Sequence, residues 1–275
     1  MPTPARFAVF GHPIAHSQSP RLHALFAGQF GIALDYTTID ATPDAFAAAV
    51  RRFFAAGGRG ANVTLPHKPT AFTLATQATA TARRLGVANV LTPLPDGNLE
   101  ADSNDGAGML ADLRASAGLE PRGHDVLLLG AGGAARAAAF ALLDAGATRL
   151  TIANRTFARA EALVTALDAR DRARSVAWDT LAKLPASALV INATSAGVQH
   201  ARMELPSTLV DARSVAYDLS YGPAAQPFVD WAKAQGCARA HDGLGMLVET
   251  AAASFARWHG VRPDTAAALR LLRAG

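Results

Sequence analysis

A glycine-rich run between two differently patterned segments is the most specific candidate for ligand binding in this chain. Residues 130–135 read Gly-Ala-Gly-Gly-Ala-Ala, directly after the apolar run 125–129 and before an alanine-rich stretch. In this context the glycines permit a tight turn and close approach of the backbone to a pyrophosphate, which the free amides at a helix start favour. A glycine turn alone is more often only a turn, but the flanking strand and helix predict a dinucleotide site at Gly130, Ala131, Gly132, Gly133 and Ala134.

The end of the next predicted strand indicates which dinucleotide is bound. An NAD enzyme places Asp or Glu there, on the ribose hydroxyls. This strand instead ends in Asn154, Arg155 and Thr156, with no acid. Arg155 can pair with a 2′-phosphate, and Arg159 lies four residues later on a helix that starts at Thr156. We therefore predict NADP rather than NAD; the alternative is two solvated surface arginines.

A second candidate site is the run 62–68, Asn-Val-Thr-Leu-Pro-His-Lys. Hydride transfer requires a group that gives or takes the hydroxyl proton of the substrate. No tyrosine has a lysine four residues later, and the chain has only three lysines. Lys68 follows the strand end at which Pro66 stops the sheet, and lysine can act as an acid or base when a carboxylate orients it. The alternative is a surface lysine that begins a helix.

Two polar pairs in the loop after the first predicted strand leave their role open. Ser17 and Ser19 either cap the helix that starts at Pro20 or bind a carboxylate. His12 and His16 have the spacing of a metal pair, but a proline lies between them in a predicted loop. Because the chain also has a single cysteine, we predict no metal.

The elements that must position these residues alternate along the whole chain. Apolar runs predict strands at 6–10, 35–39, 60–64, 90–94, 125–129, 150–154, 189–192 and 215–219. Helical spacing predicts helices at 21–31, 43–56, 78–85, 244–258 and 266–272, with a helix also starting after 102–105. A turn cluster at 95–98 predicts a hairpin. This alternation is typical of two α/β domains with mostly parallel sheets.

The polar stretch at 102–106 is the predicted boundary between the domains. We expect a first domain at 1–104, completed by 243–275, and a Rossmann-type dinucleotide-binding domain at 105–242. No repeat at a fixed period accompanies this division.

Composition and charge exclude several classes of protein. The net charge of +4 comes from 26 Lys+Arg against 22 Asp+Glu, but the arginines are scattered and aromatic residues make up only 7%. Nucleic-acid binding is therefore not expected, and a small anionic ligand fits better. No apolar run reaches the roughly 18 residues of a membrane span. The start of the chain lacks a secretion signal, so we predict a cytoplasmic protein without a membrane partner.

The motifs together resemble the shikimate dehydrogenase family over nearly the whole chain. The family's paired-serine loop matches 17–20, its Asn-Val-Thr-x-Pro-x-Lys block 62–68, its glycine turn 130–134 and its Asn-Arg-Thr block 154–156, while Asp-Gly-Leu-Gly-Met-Leu matches 242–247. The resemblance implies NADP-dependent, reversible reduction of 3-dehydroshikimate to shikimate in aromatic amino-acid biosynthesis. It also implies a cleft between the two domains and a protein that is a monomer or a homodimer.

The resemblance also assigns roles to residues. It implies that Lys68 and Asp105 are the catalytic pair and that Ser17 and Ser19 hold the substrate carboxylate. The hydroxyls and backbone of the substrate would be held by Asn62, Thr64, Asn89, Asp105 and Tyr221. Leu219 and Gly243 would line the nicotinamide, beside the cofactor residues already named.

Departures from the family pattern qualify these roles. Ser103 and Asn104 replace the usual Asn-Thr before Asp105, Val87 stands where alanine is usual, and Thr250 stands where the family has a substrate-binding glutamine. Two alternatives therefore remain: a quinate/shikimate dehydrogenase with broader substrate or NAD use, and a non-catalytic relative that senses NADP(H).

Overall fold

The chain folds into two compact α/β units. The computed structural model describes residues 4–169, 171–194 and 204–274. The prediction that the protein is not secreted was made from the start of the chain, and residues 1–3 of that segment lie outside the described range. The first unit runs to Asn104 and resumes at Val248, whereas the second comprises Asp105–Leu247. Within the described residues, none of the helices is long and apolar enough to cross a bilayer.

The first unit contains a mixed six-stranded sheet in the order β2-β1-β3-β5-β6-β4. Its strands are β1 (Ala5–Gly11), β2 (Leu34–Asp40), β3 (Gly58–Val63), β4 (Gln77–Ala78), β5 (Val90–Pro93) and β6 (Leu99–Asp102). The β1 strand pairs in parallel with β2 and β3, and β5 pairs antiparallel with β3 and β6. The β5–β6 pair confirms the predicted hairpin, whose turn is closed by a bond from Leu94 N to Asn98 O.

Four helices of the first unit lie between these strands: α1 (Ser19–Phe30), α2 (Pro43–Ala55), α3 (Lys68–Leu74) and α4 (Ala80–Leu85). The prediction of a helix from residue 78 was wrong at its start. Ala78 pairs with Ala101 as part of β4, and the Thr79 side chain accepts a hydrogen bond from Ala82 N, which makes Thr79 the N-cap. Apolar side chains of α2, including Phe46 and Phe53, pack on Phe10 of β1.

The second unit contains a fully parallel six-stranded sheet in the order β12-β11-β10-β7-β8-β9. Its strands are β7 (Asp125–Leu129), β8 (Arg149–Asn154), β9 (Ala173–Ala177), β10 (Leu189–Asn192), β11 (Val215–Asp218) and β12 (Arg239–His241). The chain places β8 and β9 on one side of β7 and later places β10, β11 and β12 on its other side. The strand order therefore reverses between β7 and β10. In open parallel sheets, ligands bind at the carboxyl ends of the strands at this point.

The helices of the second unit are α5 (Asp105–Ala117), α6 (Gly133–Asp144), α7 (Phe157–Leu167) and α8 (Gln226–Ala234). They are followed by α9 (Leu244–His259), which begins in the second unit and continues into the first, and by α10 (Thr265–Arg273). In the first unit Trp258 of α9 stacks on Phe7 of β1, with 5.0 Å between the ring centroids. The last two helices therefore supply part of the core beneath the first sheet.

Candidate active site

In the second unit, the glycine-rich turn directly follows β7, one of the two strands between which the strand order reverses. Gly130 follows β7 with φ of 110°, a conformation that side chains other than glycine rarely adopt. Its amide donates to Ala153 O at 2.7 Å, and a Cβ built on it would lie 2.8 Å from Ala193 O. Gly130 is therefore fixed by the carboxyl ends of the two neighbouring strands.

The next glycines face open space. Gly132 is the N-cap of α6 and has extended backbone angles that any residue can adopt. A Cβ built on Gly132 or Gly133 would meet no atom of the described residues within 4 Å. Packing within the described part of the chain therefore gives no reason for glycine at these two positions, whereas the close approach of a phosphate group to the start of α6 would. Ala131 and Ala134 are partly exposed in the same turn.

The residues expected at the 2′-phosphate follow β8. Asn154 ends the strand, and its side-chain amide donates to Thr156 O at 2.9 Å, which closes the turn into α7. Arg155 and Arg159 are exposed, and neither guanidinium has a hydrogen-bond partner within the described part of the chain. Two cations on one short segment with nothing to neutralise them fit an anionic group such as a ribose phosphate.

The carboxyl ends of β10 and β11 are joined by a buried pair that the sequence did not reveal. Asn192 Nδ2 donates to Asp218 Oδ2 at 2.6 Å, and Asp218 Oδ1 accepts from Ser220 N at 2.7 Å. Burial raises the pKa of Asp218 to about 7, because a carboxylate is costly to desolvate. The amide of Gly243 donates to Ser220 O at 2.7 Å, so this segment, which includes Leu219, lies directly against Gly243.

In the first unit, main-chain hydrogen bonds bring three of the predicted site residues together. Asn62 lies near the end of β3, whose Val63 amide donates to Asn89 O at 2.9 Å. The carbonyl of Lys68 accepts from Ala88 N at 2.9 Å. Asn62, Lys68 and Asn89 are therefore neighbours at one edge of the first sheet. Thr64, half-buried, lies in the loop between β3 and α3.

Lys68 is the first residue of α3 and is half-buried. The start of a helix carries a partial positive charge, so a cation there is unfavourable for the helix itself. Helix stability consequently does not account for a lysine at this position, although the residue does begin a helix as the alternative interpretation proposed.

The two serines lie at the start of α1. Ser17 Oγ accepts from Ser19 N at 3.3 Å, and Ser19 is buried. Tyr36, on β2, is buried as well, and burial raises the pKa of its hydroxyl while a hydrogen bond from Ser19 opposes that rise. His23 stacks on Tyr36 with 4.1 Å between the ring centroids. Burial lowers the pKa of His23 to about 3, so it is uncharged at neutral pH and provides no counter-charge to a carboxylate.

The remaining predicted residues are placed as follows. Asp105, buried, is the first residue of α5, and Tyr221 is half-buried in the loop after β11; both belong to the second unit. Thr250 belongs to the first unit, on α9, with only 9% of its surface exposed. Its hydroxyl has no hydrogen-bond partner among the described residues.

Three polar residues that join the site of the first unit were not found from the sequence alone. Tyr36 donates to Asn62 Oδ1 at 2.7 Å, Asn62 Nδ2 donates to Ser254 Oγ at 2.9 Å, and Asn89 Nδ2 donates to Asn104 Oδ1 at 2.7 Å. Tyr36 and Ser254 lie in ordinary strand and helix patterns, so only the folded arrangement shows their contacts. Over the residues that the structure describes, no group of three or more metal-ligating side chains is assembled.

Comparison with known proteins shows which family the chain resembles. The substrate binding domain characteristic of shikimate dehydrogenases matches residues 9–91, and the shikimate / quinate 5-dehydrogenase domain matches residues 112–220. Shikimate dehydrogenase (NADP(+)) from Stenotrophomonas maltophilia strain R551-3 is 50% identical over 98% of this chain and 96% of its own length.

Two solved structures share the architecture over 98% of this chain. An Ael1 enzyme from Pseudomonas putida has a TM-score of 0.89 and 42% identity, covering 98% of that protein. Shikimate 5-dehydrogenase from Thermus thermophilus, solved in complex with NADP(H) and shikimate, has a TM-score of 0.86 and 34% identity, covering 99% of that protein. The identity, the coverage and the matched domains establish that this chain belongs to the shikimate dehydrogenase family.

Proposed function

We propose that this protein is an NADP-dependent shikimate dehydrogenase that reversibly reduces 3-dehydroshikimate to shikimate in aromatic amino-acid biosynthesis. The observation that carries the proposal is that two main-chain hydrogen bonds, from Val63 N to Asn89 O and from Ala88 N to Lys68 O, make Asn62, Lys68 and Asn89 neighbours. All three lie within the part of the chain that matches the substrate binding domain. The glycine turn and the free arginines of the second unit support NADP as the cofactor. We also propose a cytoplasmic location.

The chain's own residues account for binding and proton transfer in this proposal. The bound nicotinamide cofactor supplies or accepts a hydride at the carbon that carries the reacting oxygen. Lys68 gives a proton to the carbonyl oxygen as it becomes a hydroxyl, and takes it back in the reverse direction, with Asp105 as its carboxylate partner. One hydride and one proton convert the C=O group into CH–OH, so the step is balanced.

The other polar residues hold the substrate in the proposal. Ser17 and Ser19 bind its carboxylate, since hydroxyls and helix-start amides are good donors to an anion. Its hydroxyls are met by the side chains of Asn62, Thr64, Asn89 and Tyr221. Leu219 and Gly243 line the nicotinamide, and Gly130, Gly132, Gly133, Asn154 and Arg155 surround the rest of the cofactor, together with Ala131, Ala134, Thr156 and Arg159.

A single absorbance assay tests the proposal against its alternatives. The purified protein is mixed with NADP⁺ or NAD⁺ and with shikimate or quinate, and formation of the reduced cofactor is followed in all four combinations. Turnover of shikimate with NADP⁺, well above the other pairs, is the expected result. Comparable rates with quinate or with NAD⁺ would favour the broader dehydrogenase, and no reaction in any combination would favour a non-catalytic NADP(H)-binding relative.

Arg155→Ala is expected to raise the KM for NADP⁺ about 10-fold and to leave the KM for NAD⁺ nearly unchanged, since one charge-assisted hydrogen bond to the 2′-phosphate is lost. Steady-state kinetics with both cofactors at one shikimate concentration measures this. Arg213→Ala removes another exposed arginine of the same unit and serves as the control for net charge. Equal effects of Arg155→Ala on both cofactors would contradict a 2′-phosphate contact.

Thr250→Gln is expected to lower the KM for shikimate roughly 2- to 12-fold, the value of one added neutral hydrogen bond. Glutamine reaches about two bonds further than the threonine hydroxyl, which has no hydrogen-bond partner among the described residues. Thr250→Val has nearly the shape of threonine and separates loss of the hydroxyl from a change of size. An unchanged or raised KM in Thr250→Gln would show that position 250 does not face the substrate.

A further inference from the structure

We propose that Asn104 is a positioning residue for substrate binding, which holds the Asn89 carboxamide in one orientation and links it to Asn62. The inference rests on the proposed function, because it takes Asn62 and Asn89 as the groups that meet the substrate hydroxyls. All residues involved belong to the first unit.

Asn104 and Asn89 are joined by two reciprocal hydrogen bonds. The main-chain amide of Asn104 donates to Asn89 Oδ1 at 3.0 Å, and Asn89 Nδ2 donates to Asn104 Oδ1 at 2.7 Å. A carboxamide has a donor end and an acceptor end that differ little in shape, so hydrogen bonds alone decide which way it faces. Both ends of the Asn89 carboxamide are engaged by Asn104. In a flipped Asn89, Nδ2 would face the donor Asn104 N and Oδ1 would face the acceptor Asn104 Oδ1, so both hydrogen bonds would be lost.

Asn104 is itself fixed to helix α9. Its Nδ2 donates to Thr250 O at 3.1 Å and to Ser254 Oγ at 3.0 Å, which uses both hydrogens of the amide. The segment before it is also anchored, because Asp102 Oδ1 accepts from Ser103 N at 2.8 Å and from the Thr79 hydroxyl at 2.6 Å. The orientation of Asn104 is therefore set by the protein before any ligand binds.

Ser254 extends this arrangement to the second carboxamide. It donates to Thr250 O at 3.1 Å and accepts from both Asn104 and Asn62. Asn62 Nδ2 also donates to Asn89 O at 3.3 Å, so both of its hydrogens are used within the protein. A substrate hydroxyl that meets Asn62 can therefore only donate to Oδ1, which already accepts from Tyr36 and has one lone pair left. The network therefore determines that the substrate hydroxyl is the donor and Asn62 Oδ1 the acceptor, as well as where this hydrogen bond forms.

A double-mutant cycle tests whether Asn104 acts through Asn89. We expect Asn104→Ala to raise the Kd and the KM for shikimate about 10-fold, with kcat and the Kd for NADP⁺ changed less than about 3-fold. Asn89→Ala should have at least as large an effect, and Asn104→Ala should add nothing to it. Additive effects of the two substitutions on shikimate binding, measured by calorimetry in the presence of NADP⁺, would overturn the proposal.

Two further variants keep the test interpretable. Asn104→Thr retains a polar side chain, but its single hydroxyl hydrogen cannot replace both bonds that Asn104 Nδ2 donates, so its effect should lie between the unaltered protein and Asn104→Ala. It replaces the alanine variant if that variant fails to fold. Asp264→Ala removes the N-cap of α10, where the Asp264 side chain accepts from Ala267 N and from no residue of the network, and it controls for lost stability. If it raises the KM for shikimate as much as Asn104→Ala, the proposal is wrong. Absence of shikimate turnover by the unaltered protein would instead contradict the proposed function.

Discussion

Lys68→Ala is expected to lower kcat for shikimate oxidation about 10²- to 10⁴-fold, the usual contribution of a positioned acid or base. The Kd for NADPH should stay nearly the same, because Lys68 lies in the first unit and the glycine turn in the second. A cation at the start of α3 does not stabilise the helix itself, and urea unfolding of the variant measures any change in the free energy of unfolding. Single-turnover kinetics and fluorescence titration with NADPH measure the two quantities separately.

The chain offers a matched control for this substitution. Lys233, one of the two other lysines, is exposed on α8 of the second unit, and Lys233→Ala removes the same charge at a residue that has no part in the proposed site. It should leave kcat unchanged. Near-normal turnover by Lys68→Ala would remove Lys68 from the mechanism, whatever its effect on KM.

Gly132→Ala is expected to weaken NADP⁺ binding about 10- to 100-fold while leaving the free energy of unfolding of the ligand-free protein within about 0.5 kcal/mol. The added methyl group meets no atom within 4 Å among the residues that the structure describes, and the backbone angles of Gly132 are open to alanine. The methyl group would instead occupy the space in which the pyrophosphate is expected. Calorimetric titration with NADP⁺ and urea unfolding of the same samples measure the two effects.

Gly130→Ala is the matched contrast two residues earlier. Its φ of 110° disfavours alanine, and the new Cβ would lie 2.8 Å from a backbone oxygen. This substitution should lower the free energy of unfolding by about 2–4 kcal/mol even without cofactor. If Gly132→Ala binds NADP⁺ as tightly as the unaltered protein, the glycine turn does not approach the cofactor. Equal stability losses in both variants would show that the two glycines share one structural role.

Much of the fold follows from patterns that can be read locally. Buried strands such as β7 and β10 are continuous apolar runs, and the turn at 95–98 has residues that favour a hairpin. The edge strands β9 and β12 were not predicted. Each has few apolar residues, because an edge strand is paired on one side only, so its sequence carries little of the usual pattern. Helix α8 was also missed, and a helix at α3 was predicted only as the alternative interpretation of Lys68.

The candidate site was predicted where short motifs carry it. The glycine turn and Lys68 lie in short sequence motifs that indicate a function by themselves. The Asn192–Asp218 pair instead joins residues 26 positions apart, which meet only because β10 and β11 are neighbouring parallel strands in the folded sheet. Asn104 was noticed only as a departure from the family pattern. Its hydrogen bonds to Thr250 and Ser254 span about 150 residues of chain, a separation at which no local pattern predicts contact.

The discontinuity of the first unit has a consequence for synthesis. Its core includes Trp258 and Phe255 of α9, which follow the whole second unit in the chain. During translation, residues 105–247 are therefore complete while β1 to β6 still lack the helix that covers Phe7. Because domains fold as units as the chain emerges, the nucleotide-binding half is expected to be native first. The first unit, which begins the polypeptide, stays incomplete with apolar surface exposed until α9 is made. It is therefore the part that chaperones would have to protect.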